Sequence, residues 1–190
     1  MTTSTTLVPN RRRREGKTDY RKRLSILYSG KPRLIVRKTG HNIIAQVATY
    51  QEKGDRVICS AHSRELLKHG WKGSRKSIPA AYLTGLLTAI KARKLGTTQA
   101  ILDIGLFRGV HGSRLFACLA GAIDGGLQIP HDKKALPSQE RLNGEHIQSY
   151  GERVQREAPS TFSTRFSITP SLNLTTQVTA VKQKITSMKV

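Results

Sequence analysis

Acidic side chains are scarce: Asp and Glu number 12 in 190 residues against 33 Lys and Arg, a formal charge of +21. This scarcity argues against chemistry that needs several converging carboxylates, two-metal phosphoryl transfer above all. The candidates Asp55, Asp103 and Asp124 fall at a turn, in mid-strand and at a helix end. Cysteine is equally sparse. Cys59 and Cys118 lie inside separate apolar segments and read as small core residues of a reducing compartment, not as a disulfide. Cys59, His62 and His69 fall short of a four-ligand zinc set and no C-x-x-C pair exists, so no metal or other cofactor is expected. No apolar run reaches the roughly 18 residues of a spanning helix, and residues 1–10 lack a signal-peptide core. A soluble cytoplasmic protein without membrane attachment or small-molecule substrate is expected. Nucleophile elbows and nucleotide-binding glycine fingerprints are missing as well, so no catalysis is expected.

What is abundant is positive charge, and it is concentrated. The stretch RRRREGKTDYRKR, residues 11–23, holds eight basic and two acidic side chains. Such density is costly unless a polyanion neutralises it, and arginine's planar fork suits phosphate better than an ammonium does. Nucleic acid is the expected partner, with counterion release supplying much of the affinity.

Periodicity divides the chain into a basic N-terminal arm and helix (1–30), a globular α/β core (31–128) and a basic C-terminal extension (129–190). Asp19 is placed to cap a helix whose Tyr20, Leu24, Leu27 and Tyr28 share one face. RLIVRK, IIAQVAT and RVICSA are short, β-branched and separated by turn formers, which predicts a three-stranded antiparallel meander. A short helical piece (SRELLKHG) follows, then a strong helix over 78–95 capped by Ser77, a fourth strand over 99–106, and a helix capped by Ser113 that ends at Gly125 and Gly126. The fold class is α/β, a mixed sheet with packed helices. A further helix is expected from Gly144 to about Glu157. In 160–190, twelve of 31 residues are Ser or Thr and none is acidic, so this tail, like residues 1–17, is expected to gain order only from a partner. The loop over 105–113, which contains three glycines, Arg108 and His111 and is followed by Arg114 at the helix start, reads as a cradle for an RNA phosphate.

RRRREGKTDYRKRL, PRLIVRKTGHNIIAQVATY, AAYLTGLL and GAIDGGLQIPH, in that order across residues 11–150, resemble the archaeal and eukaryotic type of the universal large-ribosomal-subunit protein eighteen family. The resemblance implies a ribonuclease-H-like topology without the nuclease site, and an archaeal source fits the chain's length. It also implies binding of 5S rRNA, attachment of that RNA to large-subunit (23S) rRNA in the central protuberance, and contact with neighbouring large-subunit proteins. Carried onto this chain, Arg11, Arg12, Arg13, Arg14, Lys17, Tyr20, Arg21 and Arg23 would contact RNA. Lys31, Arg33, Arg37, Lys38, His41 and Asn42 would form an exposed sheet region on 5S rRNA, and Arg108, His111 and Arg114 would approach neighbouring rRNA. Recognition would be chiefly of shape and backbone. The rival reading, an RNA-processing nuclease on a similar fold, lacks its carboxylate cluster.

Overall fold

A computed structural model describes residues 8–166 and 173–188. Two short N-terminal helices, α1 (Arg11–Arg14) and α2 (Tyr20–Leu27), precede β1 (Arg33–Lys38), β2 (Ile43–Thr49) and β3 (Arg56–His62). A 3-10 helix (Ser63–His69) leads to α3 (Ile78–Lys94), β4 (Ile101–Asp103) and α4 (Arg114–Asp124). Beyond a short 3-10 turn (Lys133–Ala135) come α5 (Gln139–Asn143), α6 (Glu145–Glu157), α7 (Pro159–Arg165) and α8 (Leu174–Ser187).

The sheet order is β3-β2-β1-β4, with β1 antiparallel to β2 and parallel to β4. Strand alternation sends Leu34, Val36, Ile43, Ala45 and Val47 into the core beneath α3 and α4. The fourth strand is shorter than its apolar run suggests. Past Asp103 the chain turns at Gly105, and the other end of the run is held only by a parallel bridge from Gln99 to Gln128. That bridge pairs single residues outside the four strands of the sheet.

The two central helices meet through glycine. A Cβ on Gly85 of α3 would strike the carbonyl oxygen of Cys118, and one on Gly121 of α4 would strike that of Tyr82. Each helix therefore lays its backbone directly against the other. Ser77 caps α3 by accepting a hydrogen bond from Ala80 N at 3.3 Å, and the buried Thr84 and Thr88 satisfy their hydroxyls on Ala80 O and Thr84 O within the helix.

One expectation is corrected. The C-terminal segment is not without structure of its own: Leu174, Val178, Val181 and Ile185 of α8 are buried against the central cluster, where α8 packs on α3. Their spacing of four, three and four residues is a helical stripe that the Ser/Thr content obscures. Lys182 reinforces the docking, its Nζ lying 5.3 Å from the centre of the Tyr82 ring. The helix α2 buries no residue; Leu24 is 52% and Tyr28 80% exposed, so the face these residues share does not pack into the core. Of residues 1–17, expected like the tail to gain order only from a partner, residues 1–7 lie outside those described, and Arg11–Arg14 form the helical turn α1.

Candidate nucleic-acid interface

The N-terminal arm begins as one helical turn made of four arginines, all exposed, with no side-chain cap at Asn10. Glu15 is the arm's acid, 2.8 Å from Lys17 Nζ and 3.6 Å from Arg11 Nε. Gly16 then reverses the chain at a φ of +61°, and Arg12 Nε donates to Thr18 Oγ1 at 2.8 Å. Asp19 caps α2 as expected, accepting from the backbone N–H groups of Arg21 and Lys22 at 3.0 and 3.2 Å. Both bonds fall on Oδ1.

Because α2 has no buried stripe, its attachment is ionic. Arg23 places Nη2 2.9 Å from both oxygens of Asp55. Asp55 also pairs with Arg33 at 2.6 Å; Arg33 pairs with Asp103 at 2.9 Å, and Asp103 with Arg37 at 3.0 Å. The result is a ladder of alternating charge from α2 across the sheet. Burial alone would raise the pKa of Asp55, but hydrogen bonds and charges from Arg33 and Arg23 outweigh it and hold the group below the ordinary carboxylate range. A depressed native pKa contributes stability above the unfolded value, near 4, and that stability is lost as pH falls through the folded value. The protein should therefore weaken below about pH 4. Asp55→Asn should cost on the order of 2 kcal/mol at neutral pH, remove part of that acid dependence, and speed amide exchange in α2. Denaturant unfolding at pH 7 and pH 3, with exchange measured residue by residue, checks all three.

The ladder corrects the placing of Arg33 on an exposed RNA-facing sheet. Its side chain is 1% exposed and ion-paired on two sides, since the alternation that sends Leu34 inward puts Arg33 among Asp55 and Asp103. Arg23 and Arg37 are half-buried members of the same ladder. The ladder also bears on the nuclease reading. Asp55 and Asp103 do converge, but on a guanidinium, while Asp124 lies elsewhere and accepts from the Tyr82 hydroxyl at 2.7 Å. Among the described residues no group of three or more His, Cys, Asp or Glu could hold a metal ion.

The other expected residues separate into two neighbouring clusters and a remainder. A cleft of about 680 Å³ lies between the arm with α2 and the segment after β4. Arg12, Lys17, Lys22 and Arg37 line it, with Leu106 and Phe107 at its far wall. Lys22, adjacent to two expected residues and inside the charge run itself, belongs with them. Across Phe107, whose ring lies 5.0 Å from Lys38 Nζ, a second cavity gathers Lys38, Arg108 and Arg114. Arg13, Tyr20 and Arg21 border a smaller recess outside the cleft. Arg11 and Arg14 are exposed on the arm, and Lys31 and His41 are exposed apart from both cavities. Asn42 is half-buried in the β1–β2 turn, its side chain accepting from Ser63 Oγ at 3.3 Å. His111 is exposed, its ring edge-on to Phe116 at 6.4 Å.

The loop between Gly105 and Ser113 is not an open cradle. Gly105 N donates to Asp103 Oδ1, Gly112 N to Ala135 O and Ser113 N to Val110 O, so these N–H groups are spent within the protein. Gly105 and Gly112 serve the backbone instead, at φ of +60° and +66°, whereas Gly109 has no positive φ and only ordinary contacts at its Cβ position. Gly112→Val should therefore destabilise the fold while Gly109→Val should not; thermal unfolding of the pair checks this.

An internally paired acid set beneath unpaired surface arginines is the arrangement of a protein built against a polyanion. A family model described as "Ribosomal large subunit proteins 60S L5, and 50S L18" matches residues 6–96 and 90–132. The chain belongs to this family. Relatives include the "Large ribosomal subunit protein uL18" of Methanococcus maripaludis, 54% identical over 151 residues, which cover 80% of this chain and 78% of the relative. The protein of the same name from Thermofilum pendens is 52% identical over 160 residues, 84% of this chain and 82% of the relative. Membership in the L5/L18 family makes the chain a structural constituent of the large ribosomal subunit, not an enzyme. Its surroundings are ribosomal RNA and other ribosomal proteins in the cytoplasm.

Proposed function

We propose that the protein binds 5S rRNA and attaches it to 23S rRNA in the central protuberance, beside neighbouring large-subunit proteins. The observation that carries this reading is the division of labour among its cations. Arg33, with Arg23 and Arg37 beside it, is neutralised internally, whereas Arg12, Arg13, Arg14, Arg21 and Lys22 form no ion pair with a described acidic residue. These side chains, with Arg11, Lys17 and Tyr20, meet RNA phosphates and sugars from the arm. Lys38, His41 and Asn42 extend the contact at the end of β1 and in the turn after it, Lys31 extends it at the opposite end of that strand, and Arg108, His111 and Arg114 face the neighbouring rRNA. Such contacts position the protein on a folded RNA without reading long sequence.

Competition binding with the full chain tests the proposal. Labelled 5S rRNA is titrated at 150 mM salt against unlabelled 5S rRNA and a structured RNA of equal length. The expected result is at least a tenfold preference for 5S rRNA. Equal displacement by both would leave a general RNA-binding protein and overturn the assignment.

A further inference from the structure

The second cavity, about 850 Å³, lies where five parts of the fold meet: the end of β1, the start of α3, the loop after β4, the start of α4, and α5 with α6. Lys38, Lys76, Arg108, Arg114 and Arg141 line it together with His146, and no Asp or Glu does. This composition differs from that of the arm cleft, where Asp19 and Asp103 share the lining. Five permanent positive charges around one hollow repel one another in the free protein. Partial burial, then the charge of Arg141, lowers the pKa of His146.

The backbone adds to the same field. The N-termini of α3 and α4 both open on the cavity, since Ser77, Ile78, Ser113 and Arg114 line it. At α3 the cap is complete: Ser77 Oγ accepts from Ala80 N and donates to Ser74 O. At α4 it is not. Ser113 stands at the N-cap but makes no capping hydrogen bond, and its Oγ is buried without a partner. A buried hydroxyl without a partner, beside first-turn N–H groups that lack a side-chain acceptor, lacks an oxygen-rich group to bond. Arg114 is held at the rim by its own bond, Nη1 donating to Lys76 O at 3.2 Å. Arg141 Nη1 lies 3.5 Å from the Cβ position of Gly112, an ordinary contact that brings Arg141 beside the α4 N-terminus.

We propose that this cavity is a second phosphate-binding site, occupied in the assembled subunit by a backbone phosphate of ribosomal RNA. The proposal rests on the RNA-binding reading above and extends it to Lys76, Arg141, Ser113 and His146. Phosphate suits the donors: arginine forks for paired oxygens, and a helix N-terminus with an unpaired hydroxyl for a third. The cavity and the arm cleft share Leu106 and Phe107 as a common wall, which lets one folded RNA surface engage both.

The test uses the full chain with Lys76→Gln, Arg108→Gln and Arg141→Gln combined, and a control carrying Lys76→Arg, Arg108→Lys and Arg141→Lys. All three side chains are exposed, so both variants should unfold within a degree or two of the parent. With rRNA containing the 5S RNA and its large-subunit attachment region, the neutralised variant should flatten the slope of log K against log salt by about two. The charge-retaining control should keep it. Inorganic phosphate titrated into the RNA-free protein should shift the His146 ring resonances and raise their titration midpoint, while chloride at equal ionic strength should not. An unchanged slope in the neutralised variant overturns the proposal. If phosphate still moves His146, the cavity takes free phosphate and not RNA. If the parent chain does not bind this RNA at all, the RNA-binding reading itself fails.

Discussion

Replacing Arg11, Arg12, Arg13 and Arg14 together with Ala should flatten the dependence of log K for 5S rRNA on log salt by about three units, since each lost phosphate contact removes roughly 0.7 to 0.9 of a released counterion. Affinity at low salt should fall by orders of magnitude. Stability should hardly move: α1 buries no residue, and Glu15 keeps Lys17 as its partner at 2.8 Å when Arg11 is gone. About half a kcal/mol for each substitution is the expected ceiling. Phosphate contacts position without specifying, so binding to an unrelated structured RNA should weaken in nearly the same proportion. Salt slope, unfolding midpoint and the ratio of the two affinities decide the matter. An unchanged slope would mean that the arginines are not on phosphates, and a collapsed ratio at unchanged slope would mean that they read bases.

The largest effect on stability belongs to Gly85 and Gly121. In an exposed helix, Gly→Ala gains roughly 1 kcal/mol from propensity. Here the added methyl group would occupy the place of a carbonyl oxygen on the facing helix, Cys118 O for Gly85 and Tyr82 O for Gly121. Both obstacles are backbone in the centre of the core and no side-chain rotation relieves them, so α3 and α4 must part. Gly85→Ala and Gly121→Ala should each cost at least about 3 kcal/mol, the upper range for overpacking. The double variant should cost less than the sum, because one separation of the helices accommodates both methyl groups. Denaturant unfolding checks sign and coupling together. A gain in stability from either substitution would show that the helices are not held at backbone contact.

Most of the sheet and both central helices are legible in the sequence because each carries a single unconflicted signal. RLIVRK and IIAQVAT are short, β-branched and set off by turn formers, and Ser77 and the residues after it cap and fill one long helix. The ends are harder. The stripe Leu174, Val178, Val181 and Ile185 has helical spacing, but threonines between its members lower the apolar content by which disorder is judged, and only the flank of α3 that the stripe covers reveals what it is for. Charge misleads in a related way. Arg33 and Arg12 are alike in sequence, one residue type in one basic stretch, yet Asp55 and Asp103, distant along the chain, draw Arg33 inside. Local counting cannot see such a partner. Lys76 and Arg141 escape for the opposite reason, each being an ordinary surface cation until folding brings it to the same hollow.

The docking of α8 on α3 sets an order of events at the chain's birth. Synthesis runs from the N-terminus, so the arginine arm emerges and meets cellular RNA long before α8 exists. Until Val178, Val181 and Ile185 arrive, α3 keeps an uncovered apolar flank on a chain that already carries most of its positive charge. A newborn chain in that interval is both sticky and strongly cationic, the combination most prone to coprecipitate with nucleic acid. Early capture of the arm by its proper RNA would shield the charge, and arrival of the last helix would then close the flank, so that assembly and folding protect each other in sequence.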